Sequence, residues 1–379
     1  MPLLSILIVN YNSSALCRDL LLSLQADLSQ MAGLDHETII VDNASTPAEV
    51  SRLDKFTRNL GAVQTIFSPI NLGYAGGINL GYQKSRGELI LILNPDVFFF
   101  PGAITRLIES LTTLPRAGVV APRTVWDRGG QLIYPPRQPQ TLGSLIADAL
   151  TQRFTWAEDL VQRRHLNQAV AFWRLTRPIK VRFVGGYCLL TTREVMDRVG
   201  LLDEGYTLYF EDADWLDRVV SAGYGIYYIP DATVVHYYNQ SAKLASLEAR
   251  EKFVVSAERY LIRRYGAWRF TWATRLVAAI SADLHARPSQ WGKIKELDLG
   301  PITSAPLLSL DNDPGLAPEY LLLVSPSSTL RPGAGVFLSQ PEYLLDESVF
   351  AGLAAATYYA GLYGLPRLET LARWTWTKV

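Results

Sequence analysis

The strongest constraint on the fold is an alternation of short apolar runs with helical patterns over the first 125 residues. After the first run, leucines at positions 16, 20, 21, 24 and 28 follow the spacing of one helix face. The apolar runs lie at residues 3–9, 38–41, 63–67, 88–93 and 119–121. Strands that alternate with helices predict an α/β fold, with an open, mostly parallel sheet covered by helices on both faces.

Polar side chains follow three of these runs. Asn10, Asp42 and Asp96 each come just after a predicted strand. In open parallel sheets the ligand crevice lies outside the carboxyl ends of the strands. Asp and Asn also cap helices and turns, and this is the alternative for each residue taken singly. Because three such residues occur at three strand ends, we expect them to share one crevice.

The pattern continues less regularly beyond residue 125. Residues 128–177 contain Pro, Gln and Arg and a helical section, and we interpret them as an insertion. Further strands are predicted at 180–191, 225–229 and 233–235, and further helices at 142–173, 193–199, 211–222 and 244–265. From about residue 290 the chain is rich in Pro, Gly and Ser, with a strand-like segment at 320–324.

The composition excludes several classes of protein. The 36 Lys and Arg balance 36 Asp and Glu, so we predict no nucleic-acid partner. An apolar fraction of 49% is sufficient for a buried core. Two cysteines, Cys17 and Cys188, do not make a disulfide scaffold or a structural zinc site. The first residues lack a basic leader and run directly into a strand pattern, which predicts a cytoplasmic protein.

Two segments carry side chains or turns suited to chemistry. Glu211, Asp212 and Asp214 form an acidic cluster in the first turn of a predicted helix, where acidic residues also occur simply because they complement the helix dipole. A general base requires such a positioned carboxylate. Residues 71–77 are glycine-rich and open a helix, but they match neither a Walker loop nor a dinucleotide fingerprint. The sequence therefore gives no support to an ordinary NTPase or dehydrogenase.

Seven motifs, taken in order and spacing, resemble one enzyme family. They are SILIVNYN (5–12), IIVDNAS (39–45), NLGYAGGINLGY (71–82), LILNPDV (91–97), VGGYCLLTTREV (184–195), LYFEDADWLDRVVSAGY (208–224) and VVHYYNQSA (234–242). The chain resembles the inverting family-2 glycosyltransferases of the GT-A fold, and among them a bacterial rhamnosyltransferase-like branch. The resemblance covers residues 1 to about 265. It implies a Rossmann-like nucleotide half followed by an acceptor half.

The resemblance also implies a role for each matching residue. Those expected around a nucleotide-sugar donor are Asn10, Tyr11, Asp42, Asn71, Gly73, Asn79, Asn94, Asp96, Gly185 and Gly186. Among them Asp42 would hydrogen-bond the base, and Gly185 and Gly186 would face the donor sugar and the acceptor. Asp96 would bind Mg²⁺ or Mn²⁺ on the diphosphate, and His236 would complete the metal shell.

The catalytic assignment and the substrates follow from the same resemblance. Asp212 would be the general base, supported by Glu211 and Asp214. The donor would be dTDP-L-rhamnose or a UDP-hexose. The acceptor would be a hydroxyl of a bacterial surface glycan or of its lipid-linked precursor. Inversion would follow from a single displacement, which needs no covalent enzyme intermediate.

Two departures from the family pattern refine this prediction. Asn94 replaces the first Asp of the Asp-x-Asp motif, so a metal would depend on Asp96, His236, diphosphate oxygens and water. The Gln-x-x-Arg-Trp signature of processive synthases does not occur, so we predict the transfer of single sugars. The alternatives are a nucleotidyltransferase-like enzyme and a catalytically inactive glycan-binding or scaffold protein of the same fold.

The remaining expectations concern domains and the C-terminal region. We predict a catalytic domain at 1–265, made of a nucleotide half (1–125), the insertion (128–177) and an acceptor half (178–240). Residues 266–379 would form a helical or mixed accessory region, a candidate for homo-oligomer formation. The basic and aromatic stretch 263–284 is a candidate for peripheral contact with the inner face of the cell membrane. The uncharged stretch 348–366 is interpreted as a buried or subunit-packing helix, with a membrane span as the alternative.

Overall fold

The computed structural model describes residues 3–31, 33–135, 138–207, 209–236, 247–282, 295–310 and 317–379. The first third alternates strands and helices as the sequence pattern predicts. Its elements are β1 (Leu4–Asn10), α1 (Ser14–Leu28), β2 (His36–Asn43), α2 (Pro47–Thr57), β3 (Val63–Ser68), α3 (Gly73–Lys84), β4 (Leu89–Leu93), β5 (Val97–Phe99), α4 (Ala103–Thr113) and β6 (Ala117–Val125). Every residue of β1 is buried, as expected of a strand covered on both faces.

The middle of the chain is mainly helical. Its elements are α5 (Leu142–Arg153), α6 (Thr155–Trp173), β7 (Ile179–Val181), β8 (Cys188–Thr192), α7 (Arg193–Val199), α8 (Glu211–Ser221), β9 (Gly225–His236), α9 (Leu247–Tyr265) and α10 (Ala267–Ser281). Helix α5 begins with a capping box between Thr141 and Ser144, which satisfies backbone donors in its first turn. The predicted start of α9 at 244–246 lies outside the described residues.

The C-terminal region is built mainly from strands. Its elements are β10 (Lys295–Ile302), β11 (Leu307–Ser309), β12 (Glu319–Ser325), β13 (Ala334–Leu338), β14 (Glu342–Leu344), α11 (Glu347–Gly352), β15 (Thr357–Leu365) and β16 (Glu369–Lys378). Five of these strands form a sheet in the order β10-β16-β15-β12-β13, and β11 pairs with β14.

Nine strands of the N-terminal two thirds form a second, larger sheet. Its order is β3-β2-β1-β4-β8-β6-β9-β5, and β7 pairs with β9 beside β5. Strands β1, β2, β3 and β4 are mutually parallel, and β6 is parallel to β9. Strand β8 lies antiparallel between β4 and β6, so β4 and β6 point the same way. Six of the nine strands therefore share one direction, which confirms the predicted α/β fold with a mostly parallel sheet.

Helices cover both faces of this sheet. On one face α1 and α4 pack on the strands through residues such as Leu20, Leu24 and Leu107. On the other face α3, α7 and α8 contribute Ile78, Met196 and Trp215. Strands β1, β2 and β4 are parallel neighbours, so their carboxyl ends lie at the same edge of the sheet. The residues that follow these strands therefore lie close together.

The C-terminal sheet shares its core with the insertion at 128–177. The Ile133 N–H donates to the Gly335 carbonyl at 2.8 Å, and the Gly335 N–H donates back to Ile133 at 2.9 Å. Trp126 and Leu132 lie in the core on one side of this sheet, and Trp173 of α6 lies in the core on its other side. Helix α10 packs on α5 of the insertion. The packing thus continues across residue 265, where we predicted a domain boundary, and the C-terminal sheet begins at β10.

The helix predicted in the uncharged stretch 348–366 is wrong. Only α11 is helical there, and most of the remainder is strand β15, which pairs with β12 and β16. Periodicity does not separate a buried strand from a buried helix over a short apolar run. The adjacent Thr357, Tyr358 and Tyr359 favour a strand, and the neighbouring strands supply its hydrogen bonds.

Two smaller predictions also need correction. The strand predicted at 180–191 is two strands, β7 and β8, separated by a loop that contains Gly185 and Gly186. The two strands predicted at 225–229 and 233–235 are one strand, β9, whose pairing with β6 shifts between Pro122 and Arg123. No helix in the described part of the chain is both long enough and apolar enough to cross a membrane.

Candidate active site

A hydrogen-bonded network joins the ends of β1 and β2. Asn10 Nδ2 donates to Asp42 Oδ2 at 2.7 Å, and Ser13 Oγ donates to Asn10 Oδ1 at 2.9 Å. The Ser45 N–H donates to Asp42 Oδ1 at 3.1 Å. Asn10 and Asp42 are almost completely buried. Tyr11 lies beside them with 45% of its surface exposed, so its ring is available at the mouth of the crevice.

The glycine-rich segment is attached to this edge by Asn43, which sequence reasoning missed. Asn43 Nδ2 donates to Asn71 Oδ1 and to the Gly73 carbonyl, both at 3.0 Å. The Leu72 N–H donates to Asn43 Oδ1 at 2.7 Å. Gly73 has a φ of 71°, a conformation that favours glycine at the start of α3. Asn71 and Gly73 therefore lie at the edge formed by Asp42.

Asn79, predicted to line the donor site, is buried and connects α3 to the loop after α7. Its Nδ2 donates to the Leu202 carbonyl at 2.9 Å and to Glu204 Oε1 at 2.8 Å. Its Oδ1 accepts the Leu202 N–H at 3.1 Å. The buried amide thus joins α3 to the loop after α7, and we assign it to holding that loop.

Asp96 and His236 lie together at the ends of β4 and β9. His236 Nε2 is 3.4 Å from Asp96 Oδ1, and the imidazole stacks on the Tyr187 ring with centroids 4.5 Å apart. Asp96 is buried, and its Oδ1 has no hydrogen-bond partner among the described residues. A buried carboxylate oxygen without a donor, next to an imidazole nitrogen, fits a divalent cation. Asn94 is tied into the backbone here, since its N–H donates to the Tyr187 carbonyl at 2.9 Å.

The Asp212 carboxylate lies in the first turn of α8. The Gly186 N–H donates to Asp212 Oδ2 at 2.9 Å, and the Ala213 N–H donates to Oδ1 at 2.8 Å. A Cβ on residue 186 would lie only 2.7 Å from the Asp212 Cβ. Glycine is therefore required at 186 for this approach, and the 182–187 loop orients the carboxylate.

Tyr74 links the two groups of carboxylates and was also missed. Its hydroxyl donates to the Gly186 carbonyl at 3.2 Å. Burial raises the pKa of Tyr74 well above its usual value, and the nearby carboxylates of Glu211, Asp212 and Asp96 raise it further. The two groups are also connected through the loop before β8, because Gly186 donates to Asp212 and the next residue, Tyr187, stacks on His236 beside Asp96. Tyr74 stays protonated there and can donate a hydrogen bond.

Glu211 and Asp212 are adjacent but differ in environment. Burial, together with the Asp212 charge, raises the pKa of Glu211 to about 8, so Glu211 is mostly protonated at pH 7. The two residues before it, Tyr209 and Phe210, have φ values of 63° and 70°. Such a conformation is costly for aromatic residues and is found mainly where function requires it. This turn sets the direction in which α8 begins, and with it the position of Glu211 and Asp212.

Asp214, the third predicted catalytic carboxylate, points into a structural network. Its Oδ2 accepts Arg218 Nε at 3.0 Å, and its Oδ1 lies 3.0 Å from Arg263 Nε of α9. Tyr206 also donates to Oδ1, at 3.3 Å. The buried Asp214 therefore connects α8 to α9. Any effect of Asp214 on Asp212 would be indirect, through the position of α8.

A cleft lined by aromatic residues opens beside Gly185. The cleft is shallow and partly open to solvent. Tyr134 and Phe172 come from the insertion, whereas Phe183, Tyr187 and Tyr228 come from the sheet and the loop before β8. Aromatic faces are suited to the apolar faces of a sugar ring or to a lipid chain. The cleft is another feature that the sequence did not reveal.

The family is decided by comparison with known proteins. The model of "Glycosyl transferase family 2" matches residues 5–198, just over half of the chain. The chain belongs to glycosyltransferase family 2. It is therefore a glycosyltransferase, and the nucleotidyltransferase and inactive-scaffold alternatives lose their basis. The matched segment contains Asp42, Asp96 and Gly186, whereas Asp212 and His236 lie beyond it.

Named relatives act in glycan biosynthesis. An N-acetylglucosaminyl-diphospho-decaprenol L-rhamnosyltransferase from Mycobacterium tuberculosis is 28% identical over 70% of this chain and 88% of its own length. A low-salt glycan biosynthesis hexosyltransferase from Haloferax volcanii is 26% identical over 57% of this chain and 61% of its own length. These relatives support glycosyl transfer in glycan biosynthesis and the predicted rhamnosyltransferase-like relationship.

Two solved structures are among those to which the chain shows similarity. One is a mannosyltransferase from Pyrobaculum calidifontis in complex with GDP-Man and Mn²⁺, at 15% identity and a TM-score of 0.44, covering 75% of this chain and 76% of that one. Another is GalNAc-T7 with UDP, GalNAc and Mn²⁺, at 15% identity and a TM-score of 0.45, covering 62% and 43%.

Proposed function

We propose that this glycosyltransferase moves a single sugar from a nucleotide-diphosphate sugar to an acceptor hydroxyl, with inversion and with Asp212 as the general base. The observation that carries the proposal is the position of the Asp212 carboxylate. It is held by the Gly186 N–H at 2.9 Å. The next residue, Tyr187, stacks on His236 beside the buried Asp96 Oδ1, which has no hydrogen-bond partner among the described residues. A base and a cation-binding carboxylate in one crevice match a displacement at an anomeric carbon between them.

The donor would lie along the edge formed by β1, β2 and α3. Asp42 would hydrogen-bond the nucleotide base, and the exposed Tyr11 would cover the nucleotide from the mouth of the crevice. The first turn of α3 presents backbone N–H groups near Gly73, which suits a phosphate or a sugar hydroxyl. The name of the Mycobacterium tuberculosis relative supports L-rhamnose as the transferred sugar, carried by dTDP, with a UDP-hexose as the alternative donor.

The chemical step in this proposal is a proton transfer to Asp212 Oδ1 or Oδ2. The acceptor hydroxyl is a poor nucleophile until a carboxylate removes its proton as the new bond forms. The protonated Glu211 places no second negative charge beside Asp212 at neutral pH. The Tyr74 hydroxyl, which also stays protonated, steadies the Gly186 loop through its hydrogen bond to the Gly186 carbonyl.

Asp96 Oδ1 and His236 Nε2 are the groups that would hold Mg²⁺ or Mn²⁺. Among the described residues no third His, Cys, Asp or Glu joins them in a cluster, so diphosphate oxygens and water would complete the coordination. A divalent cation bound there would neutralise the charge that develops on the leaving nucleotide diphosphate.

The acceptor would approach from the aromatic cleft beside Gly185. A decaprenol-linked acceptor appears in the name of the Mycobacterium tuberculosis relative. The rings of Phe172, Phe183 and Tyr228 line the cleft and would suit contact with a lipid-linked glycan precursor. Such an acceptor would place the enzyme at the inner face of the cell membrane.

Substitution of the base tests the proposal. We expect Asp212→Asn to lower kcat by about 100-fold or more, because general base catalysis contributes roughly that much. Donor binding, measured as a thermal shift with dTDP-rhamnose or UDP-hexoses and Mg²⁺ or Mn²⁺, should be retained. Asp231→Asn, at an exposed position of β9, is the control. Turnover near that of the control would exclude Asp212 as the base, and an unchanged anomeric configuration in the product would exclude inversion.

A further inference from the structure

Exposed apolar side chains are concentrated in one helical region. Of the 18 large apolar side chains exposed in the described part of the chain, eight lie between 154 and 160 or between 253 and 272. They are Phe154, Trp156, Leu160, Phe253, Val254, Val255, Trp268 and Trp272. In this region α9 packs on α10, α10 packs on α5, and α5 packs on α6. A concentration of this kind marks an interaction surface.

Helix α10 carries the most exposed part of this region. Trp268 and Trp272 are 77% and 59% exposed, and their spacing of four residues places them on one face. Arg275 continues the same row, and Arg269 lies next to it; both are exposed. The opposite side of the helix packs inward through Phe270 and the buried Ala273. We call Trp268, Arg269, Trp272 and Arg275 the Trp-Arg face.

The charge of the region is positive in a chain that is neutral as a whole. Helices α5, α6, α9 and α10 contain ten Lys and Arg against six Asp and Glu, and α10 itself contains two Arg and no acidic residue. Within the described residues no ion pair joins Arg269 or Arg275 to a carboxylate. By contrast, Arg263 and Arg264 of α9 are paired with Asp214 and Asp217.

We propose that the Trp-Arg face docks the enzyme on an anionic lipid bilayer. Amphipathic Trp side chains next to unpaired Arg residues suit the headgroup region of a membrane. A second copy of the chain would bring the same positive face against itself, and like charges oppose that contact. An anionic bilayer supplies the opposite charge.

The neighbouring helix extends this surface toward the end of α10. Arg153, the last residue of α5, donates to the Ile280 carbonyl at 2.9 Å. Phe154 and Trp156 follow immediately, with rings 5.8 Å apart. At the other end, Leu142 and Leu145 of α5 pack in the cluster that contains Phe270. Helices α5 and α10 therefore lie side by side, and exposed tryptophans occur near both ends of α10, as expected of a helix lying in the membrane plane.

Vesicle flotation tests the proposal with the full-length protein and without any sugar transfer. The wild type should float with vesicles that contain phosphatidylglycerol and bind much less to pure phosphatidylcholine vesicles. The double variant Trp268→Ala/Trp272→Ala should bind at least ten-fold more weakly. Arg269→Gln/Arg275→Gln should lose about 30-fold on anionic vesicles, if each Arg contributes the usual attraction near an anionic surface.

The matched control removes exposed apolar side chains elsewhere. Leu307→Ala/Leu344→Ala alters a facing pair on β11 and β14, 52% and 63% exposed, and should bind like the wild type. Equal binding of the tryptophan variant and the wild type would overturn the proposal, as would no binding of the wild type to anionic vesicles. A wild-type dimer that becomes a monomer in the tryptophan variant would also overturn it, in favour of a second copy. None of these results depends on the sugar transferred or on Asp212.

Discussion

At the scale of single residues, the most informative pair is Glu211 and Asp212. The two carboxyls are adjacent in the chain, yet burial keeps Glu211 protonated while Asp212 is partly exposed and held by two backbone N–H groups. Neighbouring carboxyls with different environments take different roles. Glu211 is therefore a neutral neighbour at pH 7, and under the proposed function Asp212 would be the base.

This difference predicts a pH-dependent effect of Glu211→Gln. Below the unfolded-state pKa, near 4.5, Glu211 is protonated in the folded and in the unfolded chain. Its titration then contributes nothing to the pH dependence of stability. Between that value and about 8, the unfolded chain releases a proton that the folded chain retains, so stability falls as pH rises. The Tm of Glu211→Gln should therefore exceed that of the wild type increasingly from pH 5 to pH 8, by about 2 °C or more at pH 8.

Activity should respond in the same direction. At pH 7 we expect Glu211→Gln to retain kcat within a few-fold, because it replaces a neutral group by a neutral group. Above pH 8 the variant should keep more of its activity than the wild type, which gains a negative charge beside Asp212. Glu109→Gln, at an exposed position of α4, is the control. A Tm difference that does not change with pH would contradict the assignment of a buried, protonated Glu211.

The sequence pattern predicted one crevice for Asn10, Asp42 and Asp96 because strand ends can be located from patterns, whereas the role of Asp212 came from the family resemblance. It did not show that Asn79 is used by the 202–204 loop, because a hydrogen-bond partner 123 residues away cannot be deduced from spacing. Aromatic residues were missed for another reason. Tyr74 lies within α3, and Tyr187 lies in the loop directly before β8, so neither could be distinguished from a core residue by its position in the sequence pattern.

At the scale of elements, α9 holds α8 in place through ion pairs. Arg263 reaches Asp214 and Asp203, and Arg264 reaches Asp217 at 2.8 Å. Phe253 of the same helix packs on Phe210, which lies directly before Glu211. The strained turn at 209–210 is thus covered by α9, and α9 continues through Gly266 into the Trp-Arg face.

We predict that Arg263→Met destabilises the enzyme more than it slows the reaction. The variant leaves the buried Asp214 with Arg218 and Tyr206 only, and loss of one charged partner costs about 1–3 kcal/mol. The free energy of unfolding in urea should fall by that amount. Well below the Tm, kcat should fall less than ten-fold.

Arg269→Met on α10 is the control for this variant, because its side chain is exposed and makes no ion pair within the described residues. It should leave the unfolding free energy nearly unchanged. A loss of activity in Arg263→Met comparable to that of Asp212→Asn, without a loss of stability, would show that Arg263 and Asp214 take part in the chemistry.

At the scale of the whole molecule, the segment between the two predicted halves of the catalytic domain connects the large sheet to the C-terminal sheet. Trp126, Leu132 and the helix α6 come from the segment between the two predicted halves of the catalytic domain, yet they pack on the C-terminal strands. The sequence indicated an insertion and a tail as separate features. Their contact could not be predicted, because it depends on which face of a distant sheet is left uncovered. Whether the C-terminal region also joins two copies of the chain stays a prediction.

Substitution of Trp173 tests whether the contact between α6 and the C-terminal sheet makes the chain unfold as one unit. Its side chain is 3% exposed, contacts the edge of the Phe337 ring and lies directly over Gly335. Trp173→Ala should cost about 3–5 kcal/mol, the usual range for removing a buried aromatic side chain. Because α6 belongs to both parts, calorimetry should show one cooperative transition that moves to lower temperature as a whole. Trp156→Ala removes a tryptophan that is 60% exposed on the same helix and should leave the transition in place. Two transitions, of which only one moves, would mean that the C-terminal sheet is an independent domain.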